Sequence, residues 1–184
     1  MKKLLLLFSV CLLISCNSVK KTQRALNSGN YIEAIDRSVG KLQKNKSNNK
    51  SSAYASLLKQ SFEKYRKSTL ERIDFLERET LKDNSKPVYE SYITLKNIQN
   101  KIKPLLPLED GQGEIIDFEF YDFSENILIV KENYANYLYT KATDLLRSGD
   151  KIDSRLAYNS LIELENLAPG FKDVSLLKRE AYLK

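Results

Sequence analysis

Histidine and tryptophan are absent from the 184 residues. The missing imidazole removes the commonest general base and the commonest neutral metal ligand. Cysteine occurs only at Cys11 and Cys16. Beyond residue 16, therefore, there is no thiol for a disulfide, a thiolate nucleophile or a zinc site. Glycine is scarce, with 6 residues, and the four prolines (Pro87, Pro104, Pro107 and Pro169) fall where helices are expected to start or stop. No Gly-x-Ser-x-Gly, Ser-x-x-Lys or phosphate-loop pattern is present. The longest apolar run, Leu4 to Ile14, has eleven residues, well short of the roughly 20 that a spanning helix needs.

The chain is 42% hydrophobic, enough for one compact domain or two small helical subdomains. Thirty Lys and Arg stand against 24 Asp and Glu, a net charge of +6, and the signs are segregated. Residues 17–67 hold twelve bases and three acids, whereas residues 104–130 hold seven acids and no base. A basic stretch suits nucleic acid, an anionic membrane surface, or simply a solvated helical face.

Most of the chain has helical spacing. Val19–Ser28 and Tyr31–Lys44 form a pair broken at Gly29-Asn30, and a polar loop follows over residues 46–52. Ala53–Arg66, Thr69–Leu81 and Pro87 to about Ile102 are the next expected helices, with a turn at Asp83-Asn84-Ser85. Pro104-Leu-Leu-Pro-Leu108 is expected to run extended. Ile115 to Phe120 alternate in part, which admits one short β segment provided that it finds a partner. Ser124–Arg147, Asp153–Leu167 and Lys172–Leu183 complete an all-α chain of antiparallel helix pairs. The last residues, Ala181-Tyr-Leu-Lys184, have no Gly or Pro stop, the ending expected of a short or truncated form.

The first sixteen residues, MKKLLLLFSVCLLISC, place Lys2 and Lys3 before the apolar run and close it with Leu13-Ile14-Ser15-Cys16. This segment resembles the signal peptide and lipobox of bacterial lipoproteins. The resemblance implies cleavage between Ser15 and Cys16 and a covalent lipid on Cys16, with more than one acyl chain as stable anchoring requires. Removing Lys2 and Lys3 leaves 28 bases against 24 acids, or +4. Asn17, where an Asp can mark inner-membrane retention in such lipoproteins, favours the outer membrane. Export argues against nucleic acid as a partner.

Two places resemble tetratricopeptide repeats, stacked helix–turn–helix units of about 34 residues. Gly29, Tyr31 and Ala34 match the pattern around the inter-helix turn, and the match lapses at Lys41 and Lys46. Ala157, Leu161 and Pro169 keep the spacing of a second unit, with Gly149 three residues early, which implies a longer turn. The alternative is an irregular helical bundle. The whole is similar to helical lipoproteins of the Bacteroidetes cell envelope, often longer, a likeness that implies location and fold rather than an activity.

The expected organisation is a signal peptide (1–15), a lipidated Cys and tether (16–20), an N-terminal helical region (21–103), a Pro-rich acidic connector (104–122) and a C-terminal repeat-like region (123–184). Glu114, Asp117 and Glu119 of the acidic segment, with Tyr134 and Tyr137, are the candidate partner-binding residues. Glu109 to Glu114 has oxygen ligands and turn glycines but not the order of an EF-hand loop, so no metal is expected. Glu71, Asp74, Glu77 and Glu79 alternate with Arg72 and Arg78, as helix-surface ion pairs do.

These features describe a protein without enzymatic activity and without a cofactor beyond the lipid on Cys16. It would meet the membrane through that lipid and hold another envelope protein, with no nucleic acid or small-molecule substrate. Two alternatives are an envelope hydrolase using carboxylates alone and a structural subunit of an outer-membrane assembly or transport complex, similar in kind to the repeat lipoproteins of the barrel-assembly machinery.

Overall fold

The computed structural model describes residues 18–47, 50–79 and 84–184. Residues 1–17, and with them the expected signal peptide, Ser15 and Cys16, lie outside the described residues, as do Thr80, Leu81 and Asp83 of the expected helix and turn. The fold is all-α. Residues 18–27 form α1, followed by α2 (Tyr31–Lys44), α3 (Ser51–Arg78), α4 (Ser85–Ile102), a 3-10 turn (Lys103–Leu105), α5 (Ser124–Ser148), α6 (Lys151–Leu167) and α7 (Val174–Leu183). No described helix is long and apolar enough to cross a membrane.

The turn between α1 and α2 follows from three residues. Gly29 takes the left-handed conformation (φ +79°), which a side chain would resist. Its N–H donates to the Leu26 carbonyl and that of Asn30 to Ala25, so the last carbonyls of α1 are satisfied. Asn30 then caps α2: its side chain accepts from the Glu33 N–H and donates to the Glu33 carboxylate. Gly149 and Asp150 repeat this logic between α5 and α6. Gly149 has φ +69°, and the Asp150 carboxylate accepts the N–H groups of Ile152 (2.7 Å) and Asp153 (3.3 Å).

That second turn corrects the expected register. Gly149 precedes the buried Ser154 by five residues, as Gly29 precedes the buried Ala34. The turns are thus equal in length, and the three extra residues lie in the helix, which has 17 residues in α6 against 14 in α2.

Two compact units divide the chain, and neither is contiguous. The first comprises residues up to Arg72 with Leu95–Tyr121, and the second Ile73–Thr94 with Asp122–Lys184. The boundary therefore falls inside α3 and inside α4, and residues 104–121 group with the first unit.

In the first unit Ile35, Val39 and Leu42 of α2 meet Leu58 and Phe62 of α3 and Ile98 and Ile102 of α4. Leu105, Leu108 and Phe118 from the supposed connector join the same core. Burying side chains of this size stabilises by about 1.5–3 kcal/mol each, which is why the segment packs down rather than linking.

No strand forms among the described residues, so the short β segment admitted at 115–120 is replaced by an extended strap. Phe118 is buried and Ile116 and Phe120 are half-buried, while Ile115, Asp117 and Glu119 face out. The alternation was read correctly, but the surface that takes it is helical: Phe118 and Phe120 lie on Phe62 of α3, with ring centroids 6.3 and 5.9 Å away. A single bridge, Glu109 with Ile115, is all the β pairing described. In the second unit, α6 packs against α5 and α7 through Leu138, Ala142, Ala157, Leu161, Leu164 and Ala181.

Candidate functional site

A cavity of about 650 Å³ lies within the second unit. One wall is a stripe along α5 (Asn133, Asn136, Tyr137, Thr140, Lys141 and Asp144) at spacings of three and four, so these residues share a face. They flank the stripe that α5 buries, Val130, Tyr134, Leu138, Ala142 and Leu146. The other wall comes from the end of α3 and the start of α4: Leu76, Glu77, Glu79, Asn84, Ser85 and Val88. Asn84 shapes that corner, its amide donating to the Leu76 and Glu79 carbonyls and so satisfying the last turn of α3.

The walls carry carboxylates on both sides, Glu77 and Glu79 opposite Asp144, with Lys141 as the cation. Asp144 is engaged by Arg147 at 2.8 Å, and the Lys141 ammonium lies 5.6 Å from the Tyr137 ring centroid. The Asn136 side-chain oxygen accepts from Lys172 at 3.3 Å. The result is a hollow with an aromatic ring, amides and a net acidic rim. Among the described residues no group of three or more His, Cys, Asp or Glu side chains is placed to hold a metal ion.

A second polar cluster in this unit is structural. Glu163 accepts from Lys86 at 2.6 Å and from the Tyr134 hydroxyl at 2.5 Å. Burial, and then the bond to Glu163, raises the Tyr134 phenol. Burial alone would raise the Glu163 carboxyl, but the bonds from Lys86 and Tyr134 outweigh it and hold the carboxyl below its usual range. The Tyr134 ring lies against Tyr89, with centroids 6.0 Å apart.

Of the five residues expected to meet a partner, Tyr134 and Tyr137 belong to the second unit and Glu114, Asp117 and Glu119 to the first. Tyr134 is 3% exposed and belongs to the core of the second unit, because its position in the α5 repeat falls on the buried stripe. Tyr137, three residues on, lines the cavity. Glu114, Asp117 and Glu119 belong to the first unit and are exposed.

Glu119 is engaged there by Arg66, which donates to both its carbonyl and its carboxylate. Hydrogen bonds from Tyr121 and then from Arg66 hold the Glu119 carboxyl below its usual range. The Arg66 guanidinium also lies 4.8 Å from the Tyr121 ring centroid and 5.7 Å from that of Phe62. These contacts pin the strap. In the acidic loop, Asp110 accepts the N–H groups of Gln112 (2.7 Å) and Glu114 (3.0 Å), so it builds the turn.

The cavity residues Asn84, Asn133, Asn136 and Thr140 carry no motif. Their signal in the sequence is a polar stripe at helical spacing beside Tyr137, legible only once the buried face of α5 is known. No family model, no curated protein and no solved structure matches the chain.

Proposed function

We propose that the chain is a lipid-anchored helical module of the bacterial cell envelope that holds another envelope protein. The observation that carries this reading is the cavity of about 650 Å³ along α5, edged by Tyr137 and by amide side chains. It has the size of a pocket that takes a side-chain anchor or a short peptide segment. The anchor is inferred from Leu13-Ile14-Ser15-Cys16, and an outer-membrane address from Asn17. The same features serve a structural subunit of an outer-membrane assembly or transport complex. Two measurements separate the parts. Cys16→Ser is expected to abolish acylation and membrane fractionation; unchanged processing would remove the anchor. A crosslinked pull-down of the tagged, lipidated protein is expected to yield one dominant envelope partner, and no partner above background would remove the interaction module.

One observation favours a second reading, a carboxylate-dependent hydrolase: Glu77, Glu79 and Asp144 line the same cavity. The engagement of Asp144 by Arg147 suits an ion pair better than a general acid. Turnover of a glycoside or ester substrate that is lost in both Glu77→Gln and Asp144→Asn would establish the hydrolase.

A further inference from the structure

The α1–α2 hairpin carries a charge excess that the fold leaves unmatched. Its two acids are both engaged, Glu33 by Arg37 at 2.6 Å and Asp36 by Lys101 at 2.8 Å. Lys20, Lys21 and Arg24 on α1, Lys41 and Lys44 in the last turns of α2, and Lys46 just beyond are all exposed, and their side chains carry no ion pair among the described residues. Lys20 and Arg24 are one helical turn apart, opposite the face that buries Thr22, Ala25 and Leu26.

The Gly29 turn reverses the chain. Ala25 and Leu26 pack with Ala34, while Val19 reaches the cluster that holds Val39 and Leu42. Lys20 and Lys21 therefore sit at the same end of the hairpin as Lys41, Lys44 and Lys46. Glu109 and Asp110 line the same hollow as Lys46 and offset part of its charge.

This basic end is the one nearest the inferred lipid site. Only Asn17 separates Cys16 from Ser18, so two chain steps of at most about 3.6 Å each join them. An acylated Cys16 would thus hold the start of α1 within about 7 Å of the lipid interface. That is less than the Debye length of roughly 8–10 Å at physiological salt. The start of α1 would thus lie within one Debye length of the bilayer surface, where attraction between opposite charges is weakened but not abolished by salt.

We propose that the exposed basic end of the α1–α2 hairpin docks on an anionic phospholipid surface, so that the domain lies on the membrane in one orientation instead of swinging on its tether. The inference rests on the lipid-anchor reading. Each basic side chain near an anionic surface contributes about 1 kcal/mol, or roughly fivefold in the docking equilibrium, and Lys20, Lys21, Lys41 and Lys44 act together in favour of the docked orientation.

The test uses the acylated full chain purified from membranes and placed in neutral phosphatidylcholine vesicles or in vesicles with added phosphatidylglycerol. Amine-reactive labelling is read residue by residue by mass spectrometry. Labelling of Lys20, Lys21, Lys41 and Lys44 is expected to fall at least about fivefold on the anionic vesicles and to recover in high salt. Lys151 and Lys172 of the second unit serve as reference positions. Equal labelling on both vesicle types would overturn the proposal while leaving the anchor intact. Protection by duplex DNA in place of anionic vesicles would overturn it in favour of nucleic acid. Failure of the protein to remain with neutral vesicles would remove the anchor itself. Protection of the same lysines on anionic vesicles would in that case still support the docking surface.

Discussion

Ser38 is fully buried in α2, and its hydroxyl has no hydrogen-bond partner among the described residues. A buried, unpaired hydroxyl carries its desolvation cost without return. Ser38→Ala is therefore expected to stabilise the protein by about 0.5–1 kcal/mol, read as a higher urea midpoint with an unchanged slope. Glu163 acts in the opposite sense. Its carboxyl is held below the usual range, so its contribution is complete above an unfolded value of about 4.3 and is lost as pH falls through the lower folded value. Glu163→Gln is expected to flatten the acid limb of the stability profile below about pH 4.3 and to lower stability at neutral pH. An unchanged acid limb would show that the Lys86 and Tyr134 bonds do not persist in solution.

Among the elements, α2 shows how much local chemistry specifies. Its limits, Tyr31 to Lys44, are those read from Gly29-Asn30 before it and the polar run after it. Elsewhere the termini were legible to within two residues, as with α5, α6 and α7. Two features were not. The break expected near Lys67-Ser68 does not occur, and α3 runs unbroken from Ser51 to Arg78. Neither residue is a Gly or Pro, and the Ser68 hydroxyl simply donates back to the Tyr65 carbonyl within the helix.

The strap over 115–121 was hidden for a different reason. Its partner is Gln99, 22 residues away, which accepts the Tyr121 N–H at 2.7 Å and donates to the Tyr121 carbonyl at 2.9 Å. One glutamine side chain thus replaces the neighbouring strand that alternation normally implies, and a side chain of that kind leaves no periodic trace. Gln99→Leu keeps the size and removes both bonds. A loss of about 1–3 kcal/mol is expected, with faster hydrogen exchange at the Tyr121 amide. Unaltered exchange would mean that the Arg66 contacts and the aromatic contacts to Phe62 hold the strap without Gln99.

For the whole molecule, the all-α class followed from scarce Gly and Pro and from apolar residues at three and four. The division into units did not. Contacts join residues 104–121 to α1–α3, and residues 73–94 to the C-terminal helices. That grouping depends on which apolar side chains of two long helices find partners, something that sequence order does not reveal. The candidate cavity was half legible: Tyr137 was singled out, but the amides beside it became visible only when α5 was seen to bury the neighbouring stripe. The interaction module is tested most directly in living cells, with a photo-crosslinking amino acid at the position of Tyr137 and, as reference, at exposed Lys151. A discrete crosslinked species containing an envelope protein, formed from position 137 and absent from 151, is the expected result. No crosslink from 137, or the same species from both positions, would contradict the assignment of the α5 cavity as the place where a partner is held.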